Sequence, residues 1–293
     1  MNLRTLILSF GLAVVAAICP AQEKSKIAIS GSDTMNALTQ RLAEDYGNAH
    51  PNVEIAVRGG GSGTGIADLM NGLNDIAQAS RKMKPEEIEQ AKKNGLAPTE
   101  IVVALDGIAI AVHKDSPVKE LSLGQLKAIY VGAVKRWNEL DPAFPDQPIV
   151  LFSRESNCGT YDFFKEHVLL KADFASNTSY LAATAAVANA VGNDKSAIGF
   201  GGVAYFVHAE NVRVLAIKKD KAAPAICPVD VEKKMVNLAV IQDGTYAISR
   251  PLQYYTPHPP AGAVKEFLDW VLTAEGQAVV LKEDYIPLAA PTK

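Results

Sequence analysis

An α/β protein folded as two lobes is what this sequence predicts. Three observations predict it. Short apolar runs of strand length alternate with helical periodicity. The runs are too many for one compact sheet. The 293 residues, 48% apolar and 21% charged, suit one large or two medium domains with their own cores. The same composition excludes a disordered chain or a fibre. A formal charge of −3, from 29 Lys+Arg against 32 Asp+Glu, supplies no basic face for nucleic acid.

Residues 1–21, MNLRTLILSFGLAVVAAICPA, read as a signal peptide. Arg4 is its charged start, and Leu6 to Ile18 is an apolar run well short of the ~20 residues of a membrane span. Cleavage is expected after Ala21, which places the protein in the periplasm. A lipid anchor at Cys19 is disfavoured by Ile18, where that signal has a small residue. Cleavage removes Arg4 alone, so the mature charge is 28 − 32 = −4. Cys158 and Cys227 remain, and free thiols are preferred over a disulfide, which needs close Cα atoms.

Along the body, KIAIS (26–30) is a strand, followed by a helix with Met35, Leu38, Leu42 and Tyr46 on one face. VEIAV (53–57) is the next strand, followed by a helix carrying Ile66, Leu69, Met70 and Leu73. IAQAS (76–80) is a third strand, and KPEEIEQAKKNG an exposed helix stopped at Gly95. Residues 101–112, interrupted by Asp106-Gly107, form a long buried run that crosses between lobes. LSLGQLKAIYVG is a helix, IVLFSR (149–154) a strand, and YDFFKEHVLL a helix with Phe163, Phe164, His167 and Val168 inward. An Ala-rich helix (182–191), the strand SAIGFGG, and strands in VRVLAI (212–217) and TYAISRPLQYY come next. One amphipathic helix is expected over 263–281. The first lobe is then 22–105 with about 218–293, and the second is 106–217, each a mainly parallel sheet with helices.

Three strand-to-helix turns carry the chemistry: IAISGSDTM, IAVRGGGSGTGI and VLFSRESNCGTYDFF. In open α/β sheets ligands lie at these carboxyl ends. A helix N-terminus offers unpaired N–H groups and a positive dipole end, Gly admits a ligand close to the backbone, and Ser and Thr add hydroxyl donors. Together they suit an anion, phosphate in particular. One such turn is an ordinary cap; three in one chain are a site. Arg154, at the end of the third strand, can fork onto two oxyanion oxygens, or pair with Glu155 or another acid. Arg81 is either a ligand or a lobe-closing or surface ion pair.

Other chemistries find no support. GGGSGTGI lacks the Lys of a P-loop, no acidic residue completes a dinucleotide fingerprint, and Thr64 stands where a nucleophile elbow has Gly. His50, His113, His167, His208 and His258 are scattered without metal-ligand spacing, so no metal or cofactor is expected. Tyr254, Tyr255 and Trp270 read as packing residues, and Lys218–Lys221 as a solvated loop.

Over nearly all the mature length the chain resembles the phosphate-binding proteins of bacterial ABC importers. The resemblance is carried by GSDTM (31–35), GGGSGTGI (59–66), QASR (78–81), SRESNCGT (153–160), AIGF (197–200), GTYAISRPL (244–252) and AEGQ (274–277), in that order. It implies a two-lobed periplasmic-binding fold of type II that closes on inorganic phosphate and hands it to a permease in the inner membrane. It implies Ser32, Thr34 and Ser62 as donors, with Arg154, Gly159 and Thr160 as a third arm from the other lobe. Asp33, Ser80, Arg81 and Cys158 complete the candidate set. Cys158 stands where the family usually has a Ser; a thiol is the weaker donor, so either affinity drops or the backbone N–H does that job alone. At Arg81 one branch of the family has an Asp that accepts the phosphate proton, and other members have Arg. An acceptor-only carboxylate rejects sulfate, which carries no proton at neutral pH. Asp33 and Glu155 are the candidates to replace it.

The leading expectation is a monomeric binding protein without catalytic residues or cofactor. Its alternatives are a receptor for sulfate, molybdate or a phosphonate, a secreted phosphatase using Cys158 or Ser62, and a surface protein with a vestigial site.

Overall fold

The computed structural model describes residues 24–288. Strand β1 (Ser25–Gly31) leads into helix α1 (Asn36–Ala49), β2 (Val53–Gly60) into α2 (Ser62–Met70), and β3 (Ile76–Ala79) into α3 (Pro85–Lys93). Strand β4 (Thr99–His113) is followed by β5 (Glu120–Ser122), α4 (Leu123–Tyr130), β6 (Val150–Arg154), α5 (Gly159–His167), β7 (Ser179–Leu181), α6 (Thr184–Asn193) and β8 (Ala197–Gly202). Then come β9 (Val212–Val214), β10 (Ala216–Lys218), β11 (Val229–Asp230), β12 (Met235–Val236), α7 (Leu238–Gln242), β13 (Ser249–Thr256), α8 (Gly262–Val271) and α9 (Ala274–Lys282).

Strand order is β2-β1-β3-β13-β4-β8-β6-β7, with β9 also on β4. The wings are parallel: β1 pairs β2 and β3, and β6 pairs β7 and β8. Within this sheet antiparallel pairing is confined to the middle, where β13 and β4 run. β4 serves both halves. Thr99–Gly107 pair with β13, and Ile108–Val112 pair with β8. The long apolar run therefore crosses between two cores. One core contains Ile27, Leu38, Tyr46, Ile76, Ala104, Leu252 and Phe267. The larger contains Ile108, Ile129, Leu151, Phe164, Phe200 and Tyr246. The larger core continues through Val229, Val236, Ile241 and Ile248, and the first resumes at Leu252, so β13 carries the chain back.

Five local expectations are corrected. The helix over 263–281 is two helices, because Thr273 caps α9 by accepting from the Gly276 N–H at 3.3 Å. VRVLAI splits into β9 and β10, which pair different partners, β4 and β5. TYAISRPLQYY becomes strand only from Ser249. Leu73 lies past the end of α2 and is exposed, and His167 is exposed, stacked on Phe163 at 4.0 Å rather than set in the core. The proposed signal peptide and Cys19 lie outside the described residues. Among the described residues no helix is long and apolar enough to cross a membrane.

Candidate functional site

The three turns singled out by sequence converge where the two lobes meet. Two are the N-termini of α2 and α5, and neither is capped by a side chain. Helix α5 comes down on the first lobe at Gly159. A Cβ at Gly159 would lie 2.4 Å from Ser62 Oγ and 2.6 Å from Ser80 Oγ, so only glycine permits this approach. Ser62 and Ser80 are themselves joined, the Ser80 N–H donating to Ser62 Oγ at 3.1 Å. Thr160, one residue on, meets Thr34 with their hydroxyl oxygens 2.9 Å apart. Ser32, Thr34, Ser62, Ser80, Cys158 and Thr160 are all buried.

The lobes are also clasped beside this point. Asn157 donates its side-chain amide to the Gly60 carbonyl at 3.0 Å and accepts the Gly63 N–H at 3.1 Å. Gly61, at φ +91, leaves room for the Asn157 carbonyl, which a Cβ there would meet at 2.6 Å. Asn157 was not a sequence candidate, and an exposed loop Asn carries no signal for such a role.

Individual donors are sorted by what they already bond. The Ser32 N–H is taken by the Gln78 carbonyl at 2.8 Å, whereas its buried hydroxyl has no partner among the described residues. The Cys158 N–H donates to the Glu155 carbonyl at 3.0 Å, so it cannot replace the missing Ser hydroxyl. Cys158 and Cys227 are both free thiols. Asp33 accepts the Gly60 N–H at 2.8 Å on Oδ1 and faces Arg154 Nη2 at 3.0 Å across the cleft on Oδ2. Glu155 is exposed and lines a recess with Tyr161 and Tyr180.

The two arginines read from the sequence are heavily engaged. Arg154, fully buried, donates to Asp33, Thr184 Oγ1 and the carbonyls of Leu181 and Ala182, which uses four of its five N–H groups. It is not a free fork. Arg81 donates both terminal nitrogens to Glu87, at 2.7 and 2.8 Å, and its Nε lies 2.8 Å from Asp162 of the other lobe. The lobe-closing alternative for Arg81 describes its geometry.

Comparison with known proteins places this arrangement. A family profile described as the PBP superfamily domain matches residues 20–275. The Phosphate-binding protein PstS of Pseudomonas aeruginosa is 36% identical over 301 residues, covering 95% of this chain and 90% of that protein. This chain belongs to the PstS family within that superfamily. The PstS of Staphylococcus haemolyticus is 33% identical over 90% of this chain and 80% of its own. Among solved structures, a Clostridium perfringens protein assigned as a phosphate ABC transporter substrate-binding protein, with bound phosphate, aligns with a TM-score of 0.76 at 30% identity over 90% of this chain and all of its own. An ABC-type phosphate transport receptor of Vibrio cholerae aligns with a TM-score of 0.71 at 27% identity over 89% of this chain and all of its own. PstS proteins are solute-binding proteins, and this chain is one rather than an enzyme.

For a PstS chain, the largest omission from the sequence-derived set is the pair Arg250 and Asp106. Arg250, from β13, is 3% exposed and donates to Thr160 Oγ1 at 2.9 Å and to the Ser80 carbonyl at 2.8 Å. Burial pushes the Asp106 carboxyl up, while the Arg250 guanidinium pulls it down. The motif GTYAISRPL marks the segment, but nothing local shows that its Arg reaches two of the three turns, at Thr34 and Thr160, and the end of β3 at Ser80. Tyr205 and Tyr285 carry no sequence signal for a role here; their hydroxyls donate to the carbonyls of Asp33 and Thr34 and pin that turn.

Proposed function

We propose that this protein captures inorganic phosphate between its two lobes and delivers it to an ABC-type importer in the inner membrane. The observation that carries the reading is the meeting of Gly159-Thr160, at an uncapped helix N-terminus, with Ser62, Ser80 and Thr34 from the opposite lobe. This is a buried group of hydroxyls and backbone donors supplied by both lobes, so a bound anion would be enclosed only when the lobes close. Membership of the PstS family, and the phosphate in the Clostridium perfringens structure, support the choice of anion. In this reading Ser32, Thr34, Ser62, Ser80, Gly159 and Thr160 supply donors and Arg154 fixes the turn geometry. The lobes divide near residue 106 and again near 249, later than the boundary near 218 expected from sequence. Export by a signal peptide at 1–21 and a monomeric state belong to the same proposal.

Thermal unfolding with added phosphate, arsenate, sulfate and molybdate tests it. Phosphate at 100 times its dissociation constant should add about 2.7 kcal/mol. Stabilisation by molybdate or sulfate and not by phosphate would assign the site to another oxyanion, and no response to any of the four would remove the anion reading.

A further inference from the structure

A buried ion pair lies under the candidate site. Asp106 Oδ2 accepts from Arg250 Nε at 3.1 Å and from Nη2 at 2.8 Å, with the two side chains 0% and 1% exposed. Nη1 holds the Ser80 carbonyl at 2.8 Å. Nη2 also reaches Thr160 Oγ1 at 2.9 Å and, more weakly, Thr34 Oγ1 at 3.4 Å. Those hydroxyl oxygens are 2.9 Å from each other. One guanidinium thus touches the first lobe through Thr34 and Ser80 and the second through Thr160.

The direction of these hydrogen bonds follows from the groups themselves. A hydroxyl has one proton and two lone pairs, and a guanidinium only donates and does not lose its charge. Facing Arg250, each threonine oxygen can therefore only accept. Between them the threonines have two protons, and one is used in the bond that joins them. The second cannot point at Arg250 and is left to point away from it. A neutral partner with a carbonyl, such as glutamine, would impose no such direction, because it could take that proton itself. Asp106 supplies the opposite charge and two anchoring bonds, without which the guanidinium would be an unpaired buried cation.

We infer that Arg250, held by Asp106, is a positioning residue that turns the Thr34–Thr160 pair into a hydrogen-bond donor toward the bound anion. The inference rests on the phosphate-capture reading. It assigns the pair a part in recognition beyond stabilising the fold. Arg250 sets the polarity of two hydroxyls and fixes the Ser80 end of β3 beside Ser62.

A double-mutant cycle on phosphate affinity, read by titration calorimetry, tests this. The four proteins are the wild type, T160V, D106N/R250Q and the triple variant. D106N/R250Q removes both charges together, which avoids an unpaired buried ion. In the wild type, T160V should weaken phosphate binding by about tenfold to a hundredfold, as expected for a hydrogen bond to a charged group. In the D106N/R250Q background the same substitution should cost clearly less, because the hydroxyl is no longer aimed. Effects that multiply independently to within about twofold would overturn the inference. If D106N/R250Q does not fold, R250K decides. An ammonium is also donor-only, so T160V should cost R250K as much as it costs the wild type, and a smaller cost overturns the proposal. A wild type that shows no phosphate binding would remove the capture reading itself, which separates that failure from this one.

Discussion

Arg81 of the first lobe and Asp162 of the second lie 2.8 Å apart, and Lys84 Nζ approaches the same Asp162 oxygen at 2.9 Å. Burial pulls the Arg81 guanidinium down, but Glu87 and Asp162 outweigh it and hold the group above its ordinary value. It stays charged at any pH the protein meets. The ion pair is 7% and 18% exposed, so solvent screens it only partly. Its two ends belong to different lobes, so it would act as a latch on the closed arrangement. D162N should weaken phosphate binding by about 5–30-fold, or ~1–2 kcal/mol. It should also flatten the dependence of affinity on salt. Wild-type affinity with wild-type salt dependence in D162N would show that the pair does not contribute to closure.

Gly159 makes a sharper test of how closely the lobes approach. A methyl group there would overlap the hydroxyls of Ser62 and Ser80, both buried and bonded to each other. Neither can swing out to solvent. Overpacking of this kind costs ~1–3 kcal/mol, and here the cost falls on the closed arrangement. G159A should therefore lose about 5–150-fold in phosphate affinity. Adding S62A to G159A removes the nearer clash, and it should restore less than the whole loss because a donor goes with it. An unimpaired G159A would mean that the anion is held by a looser interface than this one.

Alkaline stability follows from four buried phenols. Burial raises the pKa of Tyr130, Tyr246, Tyr254 and Tyr285 above the ordinary value of 10.0. In the unfolded chain these phenols lose their protons near pH 10. In the folded protein they keep them, so above that pH the folded state binds more protons than the unfolded state. Stability contributed by the neutral phenols is complete below about pH 10 and is lost as pH rises toward the folded values, at ~1.4 kcal/mol per pH unit for each tyrosine. Denaturant unfolding between pH 9 and pH 12, followed alongside tyrosinate absorbance, checks this. The buried tyrosines should ionise only as the protein unfolds, and constant stability across that range would contradict their burial.

Much of the architecture was legible because its causes are local. The three turns are marked by Gly, Ser and Thr directly after apolar strands, and Gly159 and Gly61 sit where a side chain would collide with the other lobe. The 15-residue β4 is visible as an apolar run, and its crossing could be guessed from its length. Arg154 is legible at its strand end, but its occupancy is not, because its acidic partner Asp33 is 121 residues away in sequence. Arg250 is harder still. It lies in a strand-like segment, and its partner Asp106 is 144 residues away. The break between α8 and α9 was written in Thr273 ahead of Ala274-Glu275-Gly276, but continuous amphipathic periodicity across it masked the cap. Sequence periodicity reports which face is buried, and it does not report which distant charge a buried charge meets.

Asp33 is the acid placed to set selectivity between phosphate and sulfate. Glu155, the other acid considered as an acceptor, is exposed and turned toward Tyr161 and Tyr180. Asp33 lies next to Thr34, with its carboxylate held by the Gly60 N–H and by Arg154. Each carboxylate oxygen has more than one lone pair, so an acceptor position remains. Phosphate at neutral pH has a proton to offer it, and sulfate does not. A carboxylate facing sulfate would meet a second anion with no proton between them. The wild type should therefore be stabilised by phosphate much more than by sulfate at equal concentration. D33N replaces one acceptor oxygen by a donor, so it should weaken phosphate binding and strengthen sulfate binding, narrowing the ratio by at least about tenfold. Equal stabilisation of the wild type by the two anions would sink the acceptor assignment. So would a D33N protein that binds both anions more weakly by the same factor, since that pattern reports only the lost contact with Arg154.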